Sequence, residues 1–279
     1  MINNPRKRAE QEMTFWEHLD ALRQVLIWSL VAIAICATVA FIFKDVLFDH
    51  ILLAPRDRDF ITYRVLCRLS EFVSVPSLCM DPSSFQIINI NLAGQFMSHM
   101  TISLVAGLIL AMPVVVWLFW RFVKPGLTTT EVRYTRGAVS TISLLFLTGV
   151  LFSYFIVVPL MINFLGGYHV SESVTNQIAL SSYTGSVTMM TLLMGLLFEL
   201  PVVIIFLTRA GILTPSFLKK YRKHTVIAIL IIAGVITPSP DIFSQLIVAV
   251  PLYALFEASL VISGRIYRKK QLAAGSEEE

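Results

Sequence analysis

Residues 25–43 read VLIWSLVAIAICATVAFIF, nineteen consecutive positions without a charged side chain. As a helix rising about 1.5 Å per residue, such a run is long enough for one crossing of a hydrocarbon core about 30 Å thick. It does not read as a cleavable signal peptide. Glu10, Glu12, Glu17 and Asp20 stand among the bases before it, and no small-residue cleavage site follows. Outward from it lie five more apolar runs. Residues 102–120 are broken only by Pro113, 138–165 contain Pro159, and 187–207 contain Glu199. Residues 225–236 stop at Thr237-Pro238-Ser239-Pro240, and 242–262 contain Pro251 and Glu257. Of the 279 residues, 56% are hydrophobic and 14% charged, against about 25% charged in soluble domains. Mean hydropathy is +0.75. So few charges cannot cover a soluble surface, and the apolar content excludes disorder. The expectation is an all-α polytopic membrane protein of six transmembrane helices, the fifth and sixth short.

Sidedness follows from where Lys and Arg fall. All but five of the 22 basic residues lie in the N-terminal segment, the second and fourth connections and the C-terminal tail. The five exceptions, Lys44, Arg56, Arg58, Arg64 and Arg68, share the first connection with six acids. Both termini are therefore expected in the cytoplasm. The chain reads as a single six-span domain over residues 1–279, with a cytoplasmic interfacial helix in 1–24 and a periplasmic cap in 44–92. In the first of these, Thr14 and Glu17 have capping-box spacing and Phe15, Trp16, Leu19 and Leu22 form an apolar stripe. Within the cap, Cys67 and Cys79 either pair or stand as two thiols; a bridge closing that loop stabilises by about 3 kcal/mol. No repeat links the two halves, so the inverted-repeat carrier architecture gains no support. The fifth run is about 18 Å long. Either it thins the bilayer locally or its polar flanks are buried against neighbouring helices.

Charges inside or beside spans are the candidates for function, because an intramembrane ionisable group costs a few kcal/mol and tends to face a cavity or a partner. Glu199 is mid-span with no base within reach on its own helix. Its alternatives are a protonated carboxyl bonded to a neighbouring helix and a working polar site. Glu257 lies nearer the cytoplasmic end, within reach of the interface. Gln245 and Ser244 are placed to bond across to another helix. Glu131 is the sole acid in a connection with four bases (Arg121, Lys124, Arg133 and Arg136), close to Phe122. Its spacing from Thr128 also fits a capping box. The sequence holds no Ser/His/Asp set, HExxH, CxxC or glycine-rich phosphate loop, and its five histidines are scattered. No enzyme, cofactor, metal or nucleic-acid partner is expected.

Six stretches, in order and on the corresponding spans, carry a resemblance to the TatC family of the twin-arginine protein translocase. They are His18-Leu19-Asp20-Ala21-Leu22-Arg23; Phe122 through Glu131; Tyr154-Phe155 with Pro159-Leu160; Phe198-Glu199-Leu200-Pro201; Thr237-Pro238 with Asp241-Ile242-Phe243-Ser244-Gln245; and Pro251-Leu252-Tyr253. The resemblance implies a curved, glove-like set of six helices in the bacterial inner membrane. It implies a receptor that recognises the Arg-Arg signal peptides of folded export substrates, scaffolds an oligomeric complex in lipid, and partners single-span proteins of the TatA/TatB type. By residue match Phe122 and Glu131 hold the recognition positions of the loop, Arg23 is the base before the first span, and Glu199 is the intramembrane glutamate. Thr237, Asp241 and Gln245 fall on the edge where the small partners dock. One position departs: the family pattern His-Leu-x-Glu-Leu-Arg has Ala21 at its glutamate. Glu17, one turn earlier on the same face, is the expected substitute, with Asp20 a second candidate about 100° aside. The rival reading is a proton-coupled secondary transporter using Glu199 or Glu257.

Overall fold

The computed structural model describes residues 15–74, 79, 85–124, 137–168, 170–171, 176–237 and 242–275. Helix α1, Phe15–Ile42, is unbroken, so the expected interfacial segment and the first span are one rod. A π-helical stretch Val46–Leu52, a short turn Ala54–Arg56, helix α2 (Ile61–Val73) and strand β1 (Gln86–Ile88) build the cap. Helix α3, Gly94–Val123, returns from it. The third span is α4 (Ala138–Phe152), a π turn Ser153–Val157 and α5 (Val158–Gly167). Strand β2 (Gln177–Ala179) leads into α6 (Leu180–Leu197) and α7 (Leu200–Arg209). Helices α8 (Pro215–Lys220), α9 (Arg222–Ile236) and α10 (Ile242–Gly275) complete the chain.

Among the described residues, five helical stretches are long and apolar enough to cross a membrane: Trp16–Ile42, Gly94–Val123, Ala138–Gly167, Leu180–Arg209 and Ser244–Arg268. Helix α9 has 15 residues, about 22 Å, one turn longer than the fifth run by itself and still shorter than a core about 30 Å thick. The sixth is not short: α10 runs for 34 residues. Its bases Arg265, Arg268, Lys269 and Lys270 end the apolar run but are good helix formers, so the backbone ladder continues past them. An all-α description also needs correcting. Strands β1 and β2 pair in parallel, Gln86 with Gln177 through Ile88 with Ala179. Two extended segments beyond the spans satisfy each other's backbone groups and tie the first connection to the third.

Prolines decide where two spans depart from a plain helix. Pro159 has no N–H for the carbonyl four residues back, that of Phe155. The π turn lies just before it, and the hydroxyl of Thr62 on α2 donates to the Phe155 oxygen instead. Pro201, in the first turn of α7, likewise leaves Leu197 without its donor, and the fourth span breaks at Phe198 and Glu199. The expected run 187–207 is therefore two helices in line, and the first of them begins at Leu180.

Packing follows from close crossings. Helix α1 lies on α3, α3 on α4 and α6, and α4 on α6; α7 packs on α10, and α10 on α9. At Gly107 an added Cβ would lie 2.5 Å from the backbone of Ala37, and at Gly149 2.6 Å from the carbonyl of Met194. Small residues let helices approach where lipid supplies no hydrophobic drive. Phe146 and Met194 fill the α4–α6 seam, fully buried. Large apolar side chains such as Trp28, Leu30, Ile35 and Leu144 point outward and exposed, the surface that lipid solvates.

Candidate functional site

The two segments singled out by sequence meet at the end of the molecule opposite the cap. His18, in the first turn of α1, stacks its ring on Phe122 near the end of α3, with centroids 4.4 Å apart and planes 27° apart. Phe122 is half-buried, while Trp16, Glu17, Asp20 and Arg23 on α1 are exposed. Arg23 Nη1 lies 3.8 Å from Asp20 Oδ1, a pair one turn apart on the surface, worth about 0.2–1 kcal/mol at most. Angular position ranks the acids. At 100° per residue Glu17 and Ala21 fall on one flank of His18, whereas Asp20 points almost opposite to it. Glu131, with Thr14 and Thr128 of the two capping boxes, lies outside the described residues. At this same end an apolar groove of about 640 Å³ runs between α3, α4 and α7, lined by Phe119, Trp120, Ile142, Val203 and Phe206 with Arg209 at its rim.

The intramembrane candidates separate from one another. Glu199 sits in the break between α6 and α7 without capping α7, and its Oε1 is buried with no hydrogen-bond partner among the described residues. Glu257 is not isolated: Arg222 Nε donates to its Oε1 at 2.5 Å and lies 3.2 Å from the Tyr253 hydroxyl. Through this pair Glu257 ties α10 to α9. Gln245 is also spent internally, its Nε2 donating to Leu230 O at 2.7 Å across that hairpin. Thr237 is buried and donates to Ala233 O at 2.9 Å in its own helix. Both were expected at a partner edge; each makes a bond within the hairpin, and Ala233 O also accepts from the backbone N–H of Thr237. Asp241 lies outside the described residues.

The cap is fastened to the spans by residues that sequence reasoning missed. Tyr154 donates to Ile51 O at 2.8 Å and Tyr183 to Leu52 O at 2.9 Å. The Tyr63 hydroxyl is 3.1 Å from both Pro55 O and Pro159 O, and donates to one at a time. Burial pushes its pKa up, so it stays a donor. Cys67 and Cys79 form a disulfide, which resolves the alternative in favour of pairing. His18 and Tyr154 stand in stretches that carry the family resemblance, but nothing local pointed to these contacts, because each partner is distant in the chain or a backbone carbonyl.

Comparison with known proteins accords with this geometry. The family model described as Sec-independent protein translocase protein (TatC) matches residues 17–251. The chain is 38% identical over 266 residues to a Sec-independent protein translocase protein TatC from Blattabacterium sp. subsp. Periplaneta americana, covering 95% of this chain and 100% of that one. It is 34% identical over 264 residues to the TatC of Carboxydothermus hydrogenoformans, covering 94% and 97%. Two crystal structures of the twin arginine translocase receptor TatC superpose with TM-scores of 0.64 and 0.70, at 30% and 31% identity. Each covers 88% of this chain and nearly all of its own. The translocase assignment displaces the proton-coupled carrier and places the chain among transport subunits rather than enzymes. With five membrane-length helices in the fold and relatives matched almost end to end, this chain is a membrane protein belonging to the TatC family of Sec-independent protein translocases.

Proposed function

We propose that this chain is the subunit of a twin-arginine translocase that receives Arg-Arg signal peptides at the face carrying Glu17, Phe122 and Glu131, and scaffolds the complex around it. On this reading both termini and that face are cytoplasmic in the inner membrane. The observation that carries it is the His18–Phe122 stack, which holds the acid-bearing start of α1 against the end of α3, just before the connection that contains Glu131 in the sequence. Two guanidinium groups are fixed cations whose planar forks suit bidentate carboxylate contact, which an ammonium does not reproduce. Exposed pairs give only about 0.2–1 kcal/mol each, so the apolar part of the signal must add burial. The groove beside α3 has the size and lining for that segment. Glu17, on the Ala21 flank, supplies the carboxylate missing at Ala21; Arg23 keeps Asp20 engaged.

On this reading TatA/TatB-type helices approach at Glu199, whose buried oxygen is open to a donor, and not through Gln245 or Thr237. The test is export of a folded reporter carrying Arg-Arg at native expression. Glu131→Lys blocks export while the protein remains inserted; normal export by that variant removes the recognition role. Glu17→Gln lowers signal-peptide crosslinking more than Asp20→Asn, and the reverse order assigns the wrong acid. Glu199→Gln keeps partner crosslinking and Glu199→Ala loses it if the side chain acts by hydrogen bonding.

A further inference from the structure

Helix α2 of the cap is apolar on two sides. Tyr63 and Ser70 are buried and Leu66 and Cys67 half-buried toward the protein. On the opposite face Ile61, Val65, Leu69 and Phe72 form one stripe, each at least half exposed and Phe72 at 89%. Their spacing of four, four and three residues keeps them on one line of a helix. Arg64, Arg68 and Glu71 are exposed and confined to a single flank. The helix is fastened at a defined depth. Thr62 donates to Phe155 O, and the Phe60 ring stacks on Phe155 with centroids 5.7 Å apart. Phe155 lies in the cap-side half of the third span, within its π turn. Below it Leu144, Leu147 and Leu151 are exposed on the same span, so a lipid-facing surface leads up to α2.

We propose that α2 lies in the membrane interface on the cap side, with its outward apolar stripe set into the acyl–headgroup boundary and Arg64 and Arg68 reaching lipid phosphates. Continuity with the lipid-facing span and the one-sided arginines favour phospholipid as the occupant. A second copy of the chain is disfavoured by area. One face of a 13-residue helix offers about 200 Å², against about 800 Å² per partner in a stable interface. Docked in this way, α2 fixes the height of the cap over the spans.

The test uses the full chain in lipid nanodiscs holding one copy, with Leu69→Trp, Phe72→Trp and, on the polar flank, Glu71→Trp. Emission is read as the difference from the parent, which has four tryptophans. Lipids doxyl-labelled near the headgroup quench the two stripe tryptophans at least twofold more than the Glu71→Trp signal, and aqueous iodide shows the opposite order. Equal iodide quenching at all three positions overturns the proposal, as does protection of the stripe only in discs holding two copies. Hydroxyl-radical footprinting of the unaltered protein reads the same surface without substitution. Phe72 oxidises at least threefold more slowly than the exposed Tyr168 if lipid covers it, and as fast or faster if it does not.

Discussion

The two ends of this helical array are built by different means. At the cap end a disulfide closes the first connection on itself, a parallel strand pair ties it to the third connection, and tyrosine hydroxyls on backbone carbonyls join it to the third and fourth spans. At the other end the His18–Phe122 stack brings the start of α1 to α3 amid exposed charges. Directional bonds to carbonyls hold one geometry, since leaving such a carbonyl buried and unpaired costs about 1–3 kcal/mol. A stack with an exposed rim adjusts cheaply. The lesson is a division of labour: the cap holds the spans in position, and on the proposed function the adaptable end is where an incoming peptide is accommodated.

This contrast can be broken in steps. The largest effect is expected from Cys67→Ser with Cys79→Ser, which opens the loop and lowers stability by about 2–4 kcal/mol. It is read as a fall in the thermal midpoint that a reductant reproduces in the parent protein. Next comes Tyr183→Phe, which leaves Leu52 O without its donor and costs about 1–3 kcal/mol, again by thermal unfolding. Gln245→Ala frees the α9–α10 hairpin at a cost of about 0.6–2 kcal/mol and should raise amide exchange in α9 ahead of the rest of the protein. The smallest is His18→Ala, about 0.5–1.5 kcal/mol, with a midpoint close to the parent but weakened signal-peptide crosslinking. If His18→Ala unfolds the protein as far as Tyr183→Phe does, the two ends are not distinct. If it leaves crosslinking unchanged, the stack does not serve recognition.

The spans were legible because apolar runs long enough to cross a bilayer have few other physical uses. The short fifth helix was legible for the same reason, since its flanking bases and prolines bound it on both sides. The extent of α10 was not, because a charged residue ends a hydropathy window without ending a helix. Glu257 and Gln245 were recognised as unusual, yet what they bond to depended on Arg222 and Leu230 across the hairpin. Glu199 kept its open oxygen because Pro201 breaks the span beside it.

By itself the order of residues determined the number of apolar runs, the asymmetry of their basic flanks and the positions where prolines interrupt them. Those are one-dimensional properties, set by each segment's solvation and by which backbone donors exist. Only the tertiary structure decided that Thr62 serves the carbonyl Pro159 leaves free, that His18 meets Phe122, and that a strand pair and a disulfide shape the cap. Such contacts join atoms far apart along the chain, and their free energy exists only once the helices have been brought together.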